Sequence, residues 1–264
     1  MPNASIIVAV VLTLNEERHI TECLASLAWA DARLVYDSFS SDRTVHLAQA
    51  AGAATVLNRF ANYAQQRNDA LKHVQAQFPG DATWVFFVDA DERCTPELAA
   101  EIRGVGDTAD ESRPVWSAPR NNYLFGQLTK GAGWYPDFQA RLFRVGRVWF
   151  DPQREVHEVA LFEGEKGFLS HELTHFNYDD VAQFHAKQRK YAEFDASILF
   201  KRGVRPKPQS FVLQPLREFW RRFFSLRGYR DGVHGLHLSL LMAYYTFDQY
   251  RRLARMWRTL PGST

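Results

Sequence analysis

Residues Trp84-Val85-Phe86-Phe87-Val88-Asp89-Ala90-Asp91 set five consecutive apolar side chains, aromatic and β-branched, directly against two carboxylates. A run of this kind without polar alternation is the pattern of a strand covered on both faces, and it obliges the chain to supply helices for both sides. Charge begins where that strand would leave the sheet. Asp89 and Asp91 therefore fall at a carboxyl end, the edge at which open α/β sheets bind ligands. Two hard oxygen donors one residue apart suit a divalent cation holding a diphosphate. An Asp-x-Asp alone also describes a solvated turn, so the surrounding pattern has to decide.

The surroundings repeat one unit four times. Ile6 to Leu14 is apolar, and Ile20, Leu24 and Leu27 follow at helical spacing. Arg33 to Tyr36 is a short strand ending at Asp37, after which a polar loop leads to a helix over Arg43 to Ala51 that Gly52 stops. Ala54 to Leu57 precedes a helix from Tyr63 to Gln75, and Trp84 to Asp91 precedes a helix with Thr95 as N-cap and Pro96 at its first position. Strands and helices alternating at this length predict an α/β fold with a mostly parallel sheet and right-handed crossovers. Asn15, Glu16, Asp37, Ser40, Asp42, Asp89 and Asp91 all follow strand ends, so one crevice can collect them.

After residue 112 the pattern changes. Strand-like segments at Val115 to Ala118, Asn122 to Phe125, Gln139 to Val145, Val148 to Phe150, Glu158 to Phe162 and Gly167 to Leu169 are punctuated by Pro, Gly and Asp, which predicts a mixed-sheet extension. From Asp180 to about Arg258 the chain reads as helical, broken near Gly203 to Pro208 and Gly228 to Gly232. The net charge of +2 conceals an asymmetry: residues 181–264 hold 16 Lys or Arg against 5 Asp or Glu, and the first 180 hold 16 against 25. An acidic front part is a poor nucleic-acid platform, so no nucleic-acid partner is expected. Cys23 and Cys94 have neither disulfide-framework nor metal-ligand spacing, which fits a reducing cytosol. Met1 to Ser5 carries no basic region and Ile6 to Leu14 is too short to span a bilayer, so no export signal is expected.

Taken together, Thr13-Leu14-Asn15-Glu16-Glu17, Asp37-Ser38-Phe39-Ser40-Ser41-Asp42-Arg43-Thr44, Gln66-Arg67-Asn68 and Asp89-Ala90-Asp91 resemble the nucleotide-sugar half of an inverting glycosyltransferase of family 2, with its GT-A fold. Gly133 to Phe143 and Val156-His157-Glu158 resemble the subgroup that includes lipopolysaccharide core β-1,4-glucosyltransferases. The resemblance implies a GT-A domain over residues 1–180, with a nucleotide-sugar half to about 112 and an acceptor half from 113, followed by a basic, aromatic helical tail over 181–264. It implies transfer of a hexose, glucose being the expected one, from a nucleotide diphosphate-sugar such as a UDP-sugar to an envelope glycan, with Mg²⁺ or Mn²⁺.

By the same resemblance Thr13, Asn15, Glu16 and Asp37 hold the base and ribose, Arg67 and Asn68 serve the diphosphate, Asp89 and Asp91 anchor ribose and metal, and His157 completes the metal shell. A displacement at the anomeric carbon also needs a carboxylate to take the acceptor proton. Asp137 is the candidate, with Glu158 in reserve. This chain departs from the common family pattern there, because Pro136 stands where an acid precedes Asp137 and Gln139 to Phe143 only approximates the motif that follows. Trp134, Tyr135 and Arg141 are the expected sugar or acceptor contacts, the two aromatics by stacking.

In the tail, Arg217 to Arg227 interleaves bulky apolar residues with arginines, the composition of a helix at a membrane interface. Contact through residues 209–250 with the cytoplasmic leaflet of the inner membrane would suit a lipid-linked glycan acceptor. Two other classes remain open on sequence. A nucleotidyltransferase also uses a strand-ending acid pair, but Leu12 to Arg18 lacks the glycines of a phosphate loop. A non-catalytic module that binds membrane or nucleic acid could retain the fold.

Overall fold

The computed structural model describes residues 5–80, 82–108, 112–153 and 159–259. Its contacts divide the chain into two units, 1–120 with 137–175, and 121–136 with 176–264.

The first unit opens with β1 (Ile6–Thr13), α1 (Ile20–Ser26), β2 (Ala32–Asp37), α2 (Thr44–Ala50), β3 (Ala54–Leu57), α3 (Tyr63–Gln77), β4 (Thr83–Asp89), β5 (Glu92–Cys94) and α4 (Pro96–Asp107). Side chains from outside the helix start α3 and α4: Asn62 Oδ1 accepts from the Gln65 N–H at 2.8 Å, and Thr95 Oγ1 from the Leu98 N–H at 3.2 Å. Strands β3, β2, β1 and β4 are adjacent in that order and parallel throughout. The chain builds outward from β1 to β3 and then returns to place β4 on the other side of β1. That reversal is the topological switch point of the sheet.

Alternation along the strands gives each face its own core. Ile7, Ala9, Val11, Phe86 and Val88 pack on one side with Leu24 and Leu98, while Val8, Val10, Val85 and Phe87 pack on the other with Leu71 and Val74. Both faces are apolar and covered, as the unbroken Trp84 to Val88 run requires.

Beyond α4 come β6 (Val115–Leu124), β7 (Gln127–Thr129), β8 (Phe138–Arg144), β9 (Val148–Phe150), β10 (Ala160–Phe162), β11 (Lys166–Phe168) and β12 (Leu173–Tyr178). Strand β8 runs antiparallel to both β4 and β6, so the sheet turns mixed after β4. Val115 to Ala118 and Asn122 to Phe125, expected as two segments, belong largely to the single strand β6, which runs through Pro119. The missing N–H is tolerated because Pro119 stands opposite Phe138, where β8 begins and the ladder ends. Strands β5, β7 and β12 were not expected from the sequence.

The second unit holds the helices α5 (Val181–Lys201), α6 (Ser210–Trp220) and α7 (Gly232–Arg258), with a π-helical turn over Arg221–Ser225 and a 3-10 turn over Gly228–Asp231. The breaks fall where Gly and Pro placed them. Leu124, Tyr178, Phe184, Ala192, Leu238 and Tyr245 form its core. Its loop 130–134 is fastened by Asp231, which accepts the Gly131 N–H at 2.7 Å, and by Arg222, which donates to the Ala132 carbonyl at 2.7 Å. Gly131 is required there, because a Cβ would stand 2.5 Å from the Arg227 carbonyl oxygen. The α/β sheet with a mixed extension and a helical C-terminal region is thus the fold that the resemblance implied.

Candidate active site

Register brings the strand ends level: Thr13 stands opposite Asp37, and Leu12 opposite Asp89. Asp37 has no exposed surface. Its Oδ2 accepts from Thr13 Oγ1 at 2.8 Å and Ser40 Oγ at 2.5 Å, and its Oδ1 from the Ser40 N–H at 2.8 Å. An ionised carboxylate offers about four acceptor positions, so Asp37 spends most of them shaping its own loop. That loop holds Phe39 at φ 66°, and Asn15 at φ 58° ties it to the neighbouring one by accepting the Ser41 N–H at 2.8 Å. The Glu16 N–H donates to Thr44 Oγ1 and the Glu17 N–H to Asp42 Oδ2, at 2.7 and 3.1 Å. Asp42 also accepts the Thr44 N–H at 2.9 Å, a turn-forming role at the start of α2. The loops that follow β1 and β2 are therefore tied together at one edge of the sheet.

Arg67 is buried, its guanidinium 5.0 Å from the centre of the Phe87 ring and 5.7 Å from that of Phe150. Asn68, expected at the diphosphate, is not available to it. Its side chain has no exposed surface, and both ends of its amide are bound to the backbone of Phe150, donating to the carbonyl at 2.7 Å and accepting from the N–H at 2.9 Å.

The acidic end of β4 is embedded in a charge network. Glu92, one residue past the Asp-x-Asp, is fully buried, and its Oε2 accepts the Asp89 N–H at 3.0 Å. Its Oε1 accepts from Arg141 Nη2 at 2.5 Å and Arg120 Nη1 at 3.2 Å. Arg141 forms its second ion pair with Asp89, and Arg120 its second with Asp137, where Nε and Nη2 both reach Oδ2 at 2.8 and 2.6 Å. Gln139 Nε2 donates to the other Asp137 oxygen at 2.7 Å. Desolvation pushes the Asp89 carboxyl up, but Arg141, Arg67 and Arg120 reverse this and hold it at about 2. Desolvation acts against the Arg141 charge too, and Asp89 and Glu92 outweigh it, so the pKa of this arginine rises. Arg141, expected to touch sugar or acceptor, instead has a side chain only 4% exposed, with both terminal nitrogens turned to carboxylates and its buried Nε without a hydrogen-bond partner among the described residues.

Among the described residues of this network, Asp89, Asp91 and Asp137 keep partly exposed side chains, at 42%, 27% and 25%. His175 on β12 sets its Nε2 3.5 Å from Asp91 Oδ2. His157 and Glu158 lie outside the described residues. Trp134 and Tyr135 belong to the second unit, where the Trp134 ring meets Tyr178 edge-on at 6.1 Å and Lys130 covers the Tyr135 ring at 4.9 Å. Burial pushes both cysteine thiols up, Cys94 to about 12, so neither is a nucleophile.

Among the described residues no three His, Cys, Asp or Glu side chains form a closed metal cluster. Asp91 with His175 nonetheless fits a cation of the Mg²⁺ or Mn²⁺ class, which is held by one or two protein donors when substrate phosphates complete its shell. Sequence reasoning missed Glu92, Arg120 and His175. The first was legible as the acid that extends Asp-Ala-Asp, whereas the other two are brought in by β6 and β12.

A sequence model described as Glycosyl transferase family 2 matches residues 8–105. The lipopolysaccharide core biosynthesis glycosyltransferase LpsC of Rhizobium meliloti (strain 1021) is 29% identical over 250 residues, 90% of this chain and 88% of that protein. An uncharacterized glycosyltransferase of Rickettsia bellii (strain RML369-C) is 25% identical over 267 residues, 94% and 85% of the two chains. Among solved structures, glucosyl-3-phosphoglycerate synthase from Mycobacterium tuberculosis, in complex with Mn²⁺ and UDP-glucose, aligns at 25% identity and a TM-score of 0.36 over 44% of each chain.

Proposed function

We propose that this chain is a family 2 glycosyltransferase that moves a hexose with inversion from a uridine diphosphate-sugar to a lipopolysaccharide core or similar lipid-linked envelope glycan. The observation that carries the reading is the switch point between β1 and β4, whose level strand ends gather Thr13, Asp37 and Asp89 beside Asp91 and one ion-pair network away from Asp137. A ligand that must be gripped by its ribose and phosphates at one end and meet a base at the other finds both sets of groups there.

In this reading Asp89, kept ionised by its arginines, accepts from ribose hydroxyls, and the loops of Asn15, Glu16 and Asp37 frame the nucleoside. Asp91 with His175 would hold the cation, which when bound supplies Lewis-acid stabilisation of the departing diphosphate. Asp137 takes the proton of the acceptor hydroxyl as its oxygen forms the new bond to the anomeric carbon and the bond to the diphosphate breaks. Arg120 and Gln139 hold the two Asp137 oxygens and aim them.

The second unit supports a membrane-surface role. No residue of α6 is buried. Leu213, Leu216, Trp220 and Phe224 form an exposed stripe, and Val233, Leu236, Leu240, Tyr244 and Phe247 form another along α7. Exposed Arg217, Arg221, Arg227 and Arg230 accompany them, a charge that supports an anionic bilayer as the partner in this reading. Among the described residues no helix is long and apolar enough to cross a membrane. In this reading the contact is peripheral, with the cytoplasmic leaflet as the proposed surface.

The enzymatic reading is tested by incubating the protein with a panel of nucleotide sugars, with and without Mn²⁺, and measuring release of the nucleoside diphosphate. Metal-dependent release from a UDP-hexose is expected. No diphosphate release from nucleotide sugars, with pyrophosphate released instead when a nucleoside triphosphate and a sugar 1-phosphate are supplied, would point to a nucleotidyltransferase, and no turnover or binding of any of these would leave a non-catalytic module.

A further inference from the structure

We infer that Glu92 is a positioning residue that couples the acceptor-side carboxylate Asp137 to the donor-side carboxylate Asp89, so that a change at one is felt at the other. The inference rests on the transferase reading. Glu92 is fully buried and touches no part of the open crevice, so any influence it has on a ligand passes through its neighbours. Its oxygens have distinct duties. Oε2 holds the Asp89 N–H at 3.0 Å, while Oε1 alone receives both Arg141 Nη2 at 2.5 Å and Arg120 Nη1 at 3.2 Å.

Each guanidinium has a second anion, Asp89 for Arg141 and Asp137 for Arg120. The order Asp89, Arg141, Glu92, Arg120, Asp137 is thus an unbroken alternation of sign, with two cations meeting on one oxygen atom at its centre. Hydrogen bonds in such low-dielectric chains polarise one another, and a buried charge that loses one partner leans on the next. When Asp137 loses its charge, Arg120 is left with Oε1 and draws closer to it. Arg141 gives way at that oxygen and commits more fully to Asp89. Asp89 then has less to offer a ribose hydroxyl, and donor binding weakens. Linkage makes the effect reciprocal: a bound donor that engages Asp89 frees Arg141 for Glu92 and loosens Arg120 toward Asp137. A contiguous ion-pair chain is the physical carrier such coupling requires.

The test is a binding cycle on the full chain, with UDP and Mn²⁺ as probe and calorimetry as readout. Asp137→Asn is expected to weaken UDP about fivefold in the otherwise native protein, the size of coupling that residues in one network show. In a Glu92→Gln background the same substitution should change the dissociation constant by less than about 1.5-fold. Glu92→Asp, which keeps the carboxylate, should restore at least part of the Asp137 effect. Loss of fold lowers the stoichiometry of binding and leaves the constant of the surviving molecules alone, so a purely structural Glu92 would not produce this pattern. If Glu92→Gln does not fold, Arg120→Gln, which removes the junction from its other side, must abolish the Asp137 effect instead. Equal effects in both backgrounds, or none in either, overturn the coupling while leaving the transferase reading intact. Failure of the native protein to bind UDP with Mn²⁺ overturns both.

Discussion

Asn68 and Phe150, 82 residues apart in the chain, are joined by two reciprocal hydrogen bonds of 2.7 and 2.9 Å between one side-chain amide and one backbone residue. The pair pins β9 to α3 and holds the Asn68 amide fully buried, out of reach of a phosphate in solvent. Asn68→Ala should strand the N–H and carbonyl of Phe150, at about 1–3 kcal/mol for each group left buried and unpaired. Urea unfolding followed by circular dichroism should show a lower midpoint with an unchanged slope. UDP affinity per folded molecule should stay at the native value, and a large loss of affinity would return Asn68 to the diphosphate site.

Asp137→Asn should retain UDP binding within about tenfold while transfer to acceptor falls by about 10²–10⁴, the range of one general base. The comparison to make is the single-turnover rate with acceptor present against the UDP dissociation constant. Transfer at the native rate would show that another group takes the proton.

Asp91→Asn should remove the rise in melting temperature that Mn²⁺ gives in the presence of UDP, since a ligand selective for the folded state raises that temperature. His175→Ala should reduce the rise without abolishing it, because Nε2 stands beside Asp91 and substrate phosphates supply further oxygens. A full Mn²⁺ response in Asp91→Asn would remove Asp91 from the metal site.

The α/β sheet, its four opening cycles and the linked loops of Asn15, Asp37 and Asp42 were legible because apolar periodicity and strand-end polarity are local signals. The roles of Asn68 and Arg141 were not, because which side of a helix or strand faces inward near a site depends on later segments. Asn68 is claimed by Phe150 and Arg141 by Asp89 and Glu92, pairings that span 82, 52 and 49 residues. His175 escaped for a related reason: β12 carries an irregular burial pattern, and only its pairing with β5 places the imidazole by Asp91. Glu92 alone was adjacent to a recognised motif, and its burial is what separates it from a third ligand.

Acid should act on the network through Asp89. Its folded pKa of about 2 lies below the ordinary 3.8, so the carboxylate stabilises the fold at pH values above the unfolded pKa. That contribution is lost as pH falls from about 4 through about 2, where the native state must take up the proton. Asp89→Asn should therefore flatten the acid limb of a stability–pH curve over that window and leave the curve above pH 5 parallel to the native one. An unchanged acid limb would mean that Asp89 is not paired with Arg141 in solution.

The exposed stripes of α6 and α7 make a prediction of their own, independent of catalysis. Leu213, Leu216, Trp220 and Leu240 present apolar surface, and Arg217, Arg227 and Arg230 supply attraction to acidic headgroups of about 1 kcal/mol each. The protein should co-sediment with vesicles containing phosphatidylglycerol, remain in solution with purely zwitterionic ones, and be released as salt shortens the screening length. Arg217→Glu with Arg230→Glu should weaken binding by about tenfold or more, the two charge reversals together removing at least one decade of affinity. Trp220→Ser should weaken it at every salt concentration, since the lost contribution is apolar burial. None of these positions lies in the core around Phe184 and Leu238, so the melting temperature should stay close to the native one. Binding that ignored lipid charge would assign the stripes to a protein partner instead.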